Sequence, residues 1–212
     1  MGVEIWFVRH GQTDWNIDHR LQGHQDTPLN ATGVGQAAAT ASYLAGIHST
    51  TPFDAIVTSD LSRAHSTAEA IASALRIPMR KDAGFREHNL GRLQGLTAGE
   101  MSPSQRREYE LLRTDLEFNG HGGESSMEMA TRVRTTLKSL QQQHSGQRVV
   151  VVTHGGFLFH SYRWIREMGV DRSRDDERTP NACICIVDAA NDTPSWRIVK
   201  WGLTHHLSVA AL

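Results

Sequence analysis

Val3-Glu4-Ile5-Trp6-Phe7-Val8-Arg9-His10-Gly11-Gln12-Thr13 stands near the start of the chain. The apolar stretch predicts a buried strand over about Glu4 to Val8. Arg-His-Gly then falls at its carboxyl end. A second apolar run, Val149-Val150-Val151-Val152, leads into Thr153-His154-Gly155-Gly156. Two imidazoles delivered by the carboxyl ends of two strands, each followed by glycine, mark a site. In open α/β sheets that edge is where ligands bind.

The rest of the chain alternates short apolar runs with helical patterns, which predicts a sheet with parallel crossovers. Thr32 to Gly46 reads as a helix, with Val34, Ala37, Ala38, Ala41, Leu44 and Ala45 at helical spacing and Gly46 at its end. Ala55 to Thr58 reads as a strand. Ser62 to Leu75 reads as a helix, with Pro78 beyond it. Glu100 to Leu116 is a polar helical stretch, followed by the turn Gly120-His121-Gly122-Gly123. Ser125 to His144 is a long helix with apolar Met129, Val133, Leu137 and Leu140. Arg148 to Thr153 is a strand, followed by a helix from Phe157 to about Met168. Ala182 to Val187 and Ser195 to Trp201 make a hairpin across a turn at 188–194. The expected architecture is one α/β domain over residues 1–212: a three-layer α/β/α sandwich whose central sheet is mostly parallel.

Bulk properties narrow the function classes. The 212 residues suffice for a sizeable core, and a formal net charge of −1 gives no global field toward nucleic acid or membrane. The charged segment Arg166 to Arg178 mixes both signs, so it reads as a solvated loop rather than a nucleic-acid arm. No stretch approaches a membrane span and the start lacks a signal-peptide pattern, so a cytoplasmic protein is expected. Cys183 and Cys185 are the only cysteines. Two apart on a strand, they read as packed free thiols on one face.

Four segments could carry chemistry. A histidine after a strand is often structural, but His10 is flanked by Arg9, whose fork grips phosphate, and by Gly11, which permits close backbone approach. A neutral imidazole is a competent nucleophile toward phosphorus when its other nitrogen is pinned. Thr58-Ser59-Asp60-Leu61-Ser62-Arg63 runs from a strand end into a helix start, so amides and Arg63 can face the same anion. Alone, it also fits a helix capped by Ser59 or Asp60 with a surface arginine. Glu87 can protonate a departing alkoxide, or be an exposed loop glutamate. His154, if protonated, adds positive charge, or it is a satisfied core histidine.

Together these segments resemble the histidine phosphatase superfamily, also called the phosphoglycerate mutase-like family. The resemblance runs through Val8-Arg9-His10-Gly11-Gln12-Thr13 with Asn16, Leu21-Gln22-Gly23 with Asp26, Pro28-Leu29 and Gly33, and Ser59 to Arg63. It continues through Glu87, Gly91 and Gly95, Gly122-Gly123-Glu124-Ser125 with Arg132, His154-Gly155-Gly156, and Asn181. It implies a phosphoglycerate mutase-like fold. It implies His10 as nucleophile, forming a phosphohistidine, with Arg9, Arg63 and His154 around the phosphoryl group. Asn16 and the Gly155 amide would add donors, Gln22 and Gly23 would line the substrate side, and Glu87 would act as acid and then base. No metal or other cofactor is implied, and the partner is a small phosphorylated substrate. The remaining histidines match no catalytic position, and His205-His206 reads as a surface tail. A metal-dependent hydrolase using His10 and His154 would need nearby carboxylates, and none is evident beyond Glu87.

Within that family, Gly91-Arg92-Leu93-Gln94-Gly95-Leu96 resembles the mutase branch. Other features do not. Leu90 and Ala98 stand where mutases of this type carry a tyrosine and a lysine, and the context of Arg106-Arg107 does not match. The interval from Glu87 to His154, 67 residues, is shorter than in mutases, and the long mutase tail is missing. The expectation is therefore a phosphatase, with 92–118 as a lid that selects the substrate. Arg92, Arg106, Arg107 and Arg113 could there bind a second acidic group or be a solvated helix face. A phosphoglycerate mutase and a non-catalytic phosphate-binding protein are the alternative expectations.

Overall fold

The computed structural model describes residues 2–168, 178–190 and 196–208. Its centre is a six-stranded sheet in the order β3-β2-β4-β1-β5-β6. The strands are β1 (Val3–Arg9), β2 (Ala55–Thr58), β3 (Met79–Lys81), β4 (Arg148–Thr153), β5 (Ile184–Ala189) and β6 (Trp196–Leu203). The first four pair in parallel, and β5 and β6 join antiparallel beside β1. Helices cover both faces, as expected.

Side-chain alternation assigns the faces. Ile5 and Phe7 of β1, with Val149 and Val151 of β4, point toward α5 (Ser126–Gln143) and α6 (Gly155–Met168). There they pack among Met129, Val133, Leu137, Phe157 and Ile165. Trp6, Val8, Val150 and Val152 point the other way, into a core with Ala41 and Leu44 of α2 (Ala31–His48) and Ala64, Ala68 and Ile71 of α3 (Ser62–Leu75). Continuous apolar runs follow from burial on both faces.

Register places the site. Val8 lies opposite Val152 and Arg9 opposite Thr153. The next residues, His10 and His154, therefore leave the same edge side by side. The backbone NH of His10 still donates to the Thr153 carbonyl at 2.9 Å.

Several sequence readings need correction. Gly46 does not end α2, which runs two residues further to His48. Val34 is 59% exposed, because the buried stripe runs through Gly33, Ala37, Thr40, Ala41 and Leu44 instead. The polar helix α4 is shorter than expected, Pro103–Thr114, since Ser102 and Gln105 form a capping box and Pro103 takes the first turn. Helix α6 starts at Gly155, ahead of Phe157. Strand β3 was not foreseen; three residues give too little periodicity. Ala182 and Cys183 precede β5, though Cys183 and Cys185 are both buried and free in the same core. His206 is not in a surface tail. It is buried, bonded to Thr40 Oγ1 and to the Ala182 carbonyl, and stacked on Tyr43. Much of the charged loop (169–177) and most of the expected 188–194 turn (191–194) lie outside the described residues. Among the described residues, no helix is long and apolar enough to cross a membrane.

Gly33 shows how tightly α2 meets the loop after β1. A Cβ there would stand 2.0 Å from the Gln12 carbonyl oxygen. In an open helix, Gly→Ala would stabilise by up to about 1 kcal/mol. Here Gly33→Ala is expected to destabilise by roughly 1–3 kcal/mol through overpacking. A urea melt reads the sign directly, and an unchanged or raised midpoint would disprove the contact.

Candidate active site

The carboxyl edge of the sheet opens into a cavity of about 670 Å³. Arg9, His10, Asn16, Gln22, Gly23, Arg63, Glu87 and Gly155 all line it. These are eight of the nine residues expected there. The ninth, His154, is fully buried beside it, its ring centroid 5.1 Å from that of His10.

His10 Nδ1 lies 2.7 Å from the carbonyl oxygen of Gly11. A carbonyl only accepts, so Nδ1 carries the hydrogen and Nε2 keeps its lone pair. The loop holding that carbonyl is tied from several sides. Gly11 NH donates to Thr67 Oγ1, and Asn181 Nδ2 donates to the carbonyl of His10 and to Asn16 Oδ1, each at 3.1 Å. Asn16 Oδ1 also accepts from the Thr13 NH. Its oxygen is thereby occupied, which leaves its NH2 as the donor that Asn16 can offer to the cavity it lines.

Burial first, then the charges of Arg63 and Arg9, hold the His10 imidazole well below the usual histidine range. His154 is depressed in the same way by burial, Arg63, His10 and Arg9. Both directions favour the neutral rings in the free protein. The charge that His154 would add if protonated is therefore disfavoured there, and its Nε2 lies 2.8 Å from Ser59 Oγ.

Arg63 is not a surface arginine. It is fully buried, and its terminal nitrogens donate to the carbonyls of Gln25 and Gly23, both at 2.8 Å. Burial pushes its pKa down to about 10, which leaves it charged at neutral pH. Arg9 donates to the Thr179 carbonyl at 2.5 Å. Among the described residues, the Nε atoms of both arginines and Nδ1 of His154 are buried without a hydrogen-bond partner. Unsatisfied buried donors are uncommon and demand a reason. Two of them on arginines that line one cavity suit an anion. Ser59 and Asp60 do not cap α3; its N-cap is Leu61, and Asp60 pairs with Arg86 instead.

Glu87 is held as closely. Its carboxylate accepts from the NH of His88 at 2.8 Å and of Gly156 at 3.1 Å. A Cβ on Gly156 would meet Glu87 Oε1 at 2.2 Å, so only glycine lets this carboxylate reach the start of α6. The loop is braced by Arg132, which donates to the carbonyls of Gly84, Arg86 and Glu87 and pairs with Glu124.

Across the cavity stand Tyr109, Leu112 and Arg113 of α4, with Leu116 just beyond it, and Phe159, His160 and Arg163 of α6. Of the arginines expected on the 92–118 segment, only Arg113 lines the cavity. Arg92 pairs with Glu108, and Arg106 donates to the Ala98 carbonyl. Arg163, Tyr109 and the bracing Arg132 were not read as site residues. Helix phase alone could have found Arg163, four residues after Phe159, but only with α6 started at Gly155. Among the described residues, no three His, Cys, Asp or Glu side chains cluster as a metal site would.

Residues 5–204 match the model of the histidine phosphatase superfamily, branch 1, and the chain belongs to that family. It is 35% identical over 209 residues to phosphoglycerate mutase-like protein 4 of Arabidopsis thaliana, covering 97% of this chain and 87% of that one. It is 34% identical to a metal-independent phosphoserine phosphatase of the same plant, covering 97% and 84%. Among solved structures, mycobacterial glucosyl-3-phosphoglycerate phosphatase, in complex with VO3, superposes with a TM-score of 0.80 at 29% identity, over 95% and 99% of the two chains.

The depressed histidines have a thermodynamic consequence. His160, half-buried and facing His88, is lowered to about 4, first by desolvation and then by that neighbour. In the unfolded chain such groups titrate near about 6.5. Below that value the unfolded state binds more protons than the folded one, so stability falls as pH drops. The urea midpoint is expected to decline between pH 7 and pH 5, and His160→Gln should flatten the decline. A midpoint that rises toward pH 5 would contradict these assignments.

Proposed function

We propose that the protein hydrolyses phosphate monoesters without a metal, through a phosphohistidine on His10. The observation that carries this reading is the Gly11 carbonyl on His10 Nδ1, which leaves Nε2 unprotonated in a cavity that Arg9 and Arg63 also line. Nε2 attacks phosphorus, and the ester P–O bond breaks. Glu87, protonated, gives its hydrogen to the leaving oxygen. Arg9, Arg63, the Asn16 NH2 and the Gly155 amide at the start of α6 stabilise the equatorial oxygens. The positive charge that develops on the ring is met by the Gly11 carbonyl. A bound phosphoryl dianion draws a proton onto His154, so its charge accompanies the substrate. Water then attacks phosphorus, Glu87 takes its proton, the P–N bond breaks, and inorganic phosphate leaves a neutral His10.

Residues 1–212 act on this reading as one domain, with 92–118 as the lid and Gln22 and Gly23 lining the substrate side. Hydrolysis is favoured over transfer back to a sugar acid because Leu90 lines the cavity. An apolar side chain there offers no hydrogen bond to hold an acceptor acid in place of water.

His10→Ala is expected to lower kcat by roughly 10⁴-fold or more, as loss of a covalent nucleophile does. Glu87→Gln should slow alkyl phosphates by about 10²–10⁴-fold, with far less effect on 4-nitrophenyl phosphate, whose leaving group needs no proton. Equal losses on both esters would remove Glu87 from the acid role. Activity should persist in excess chelator; its loss would reject the metal-free route. Isomerisation of phosphoglycerate well above hydrolysis would overturn the phosphatase assignment.

A further inference from the structure

Helices α4 and α6 each present an aromatic ring and an arginine one turn apart at the mouth of the cavity. Arg113 lies over Tyr109, 5.8 Å from its centroid, and Arg163 lies over Phe159 at 5.5 Å. Among the described residues, neither guanidinium has a hydrogen-bond or carboxylate partner. The other cavity arginines differ. Arg20 is paired with Glu100, and Arg9 and Arg63 are bound to backbone carbonyls. A guanidinium held over a ring can keep N–H donors free, and those donors fit a carboxylate or phosphate. The same lining includes the apolar Leu112, Leu116 and Phe159. Leu116 and Phe159 are 56% and 40% exposed, an arrangement that solvent does not favour. The cavity also has the size that encloses a drug-sized ligand, well beyond what a three-carbon ester fills.

We infer that the alcohol released from this site is bulkier than a three-carbon acid. It lays an apolar or flat body against Leu112, Leu116, Tyr109 and Phe159 and presents a second anionic group to Arg113 and Arg163. This rests on the hydrolytic reading above, since it places the phosphoryl group at His10. The two arginines then act as a clamp that selects substrates after their phosphate has been recognised.

The test compares benzyl phosphate with 3- and 4-carboxybenzyl phosphate, whose alcohols leave with similar difficulty, and with 3-phosphoglycerate. The better carboxybenzyl isomer is expected to have the highest kcat/KM of the four. The ratio of its kcat/KM to that of benzyl phosphate should fall about tenfold in Arg163→Gln and in Arg113→Gln, the effect of losing a hydrogen bond to a charged group. A ratio at or below one in the parent protein, a ratio unmoved in both variants, or a preference for 3-phosphoglycerate would each overturn the inference. The same assays on His10→Ala separate the two levels. If that variant keeps its activity, or if the parent turns over none of the esters, the phosphohistidine reading falls and takes the clamp with it.

Discussion

The hydrogen bond from His10 Nδ1 to the Gly11 carbonyl decides which ring nitrogen keeps a lone pair, and the surroundings of that carbonyl are built to hold it. Gly11 is wedged against Gly33 so closely that a Cβ would stand 2.4 Å from the Gly33 oxygen. Its NH is taken by Thr67 of α3, and the neighbouring His10 carbonyl by Asn181 just before β5. Elements from distant parts of the chain therefore converge on one peptide. The parallel pairing of β1 with β4 brings the second imidazole to the same edge.

The electrostatics follow from burial. Two arginines taken out of water would be costly unless their donors were satisfied. Three of their six nitrogens donate to the carbonyls of Gly23, Gln25 and Thr179. Burial first, and then the charge of the two arginines, holds the pKa of His10 and His154 well below the usual histidine range. A neutral nucleophile beside fixed cations is poised for an anion, because the anion completes the charge balance that the protein alone leaves positive. Burial lowers the pKa of both arginines, and the charge of Glu87 partly offsets that, which links the acid to the cradle.

Much of this was legible in the chain. The short, β-branched run Val149 to Val152 reads as a strand buried on both faces, and Ser125 with Glu128 marks the start of α5 through its capping box. Arg9, His10, Arg63 and Glu87 could be named because their residue types fit one chemistry at the ends of readable elements. Other features left no local signal. The Arg132 brace acts on backbone carbonyls, which look alike in any sequence. The phase of α2 was blurred by its many alanines and glycines, so Val34 was misplaced. His206 is buried by a return of the chain over α2 that no periodicity encodes. Arg113 and Arg163, each over a ring, belong to two helices far apart in the sequence that line one cavity.

The most direct test of the whole account is to trap the intermediate. Rapid mixing with a labelled aryl phosphate, an alkaline quench and peptide mapping would locate the phosphoryl group, and NMR of the peptide would identify the nitrogen. The expected result is phosphate on Nε2 of His10. Phosphate on Nδ1, on another residue, or on none while turnover proceeds would contradict it.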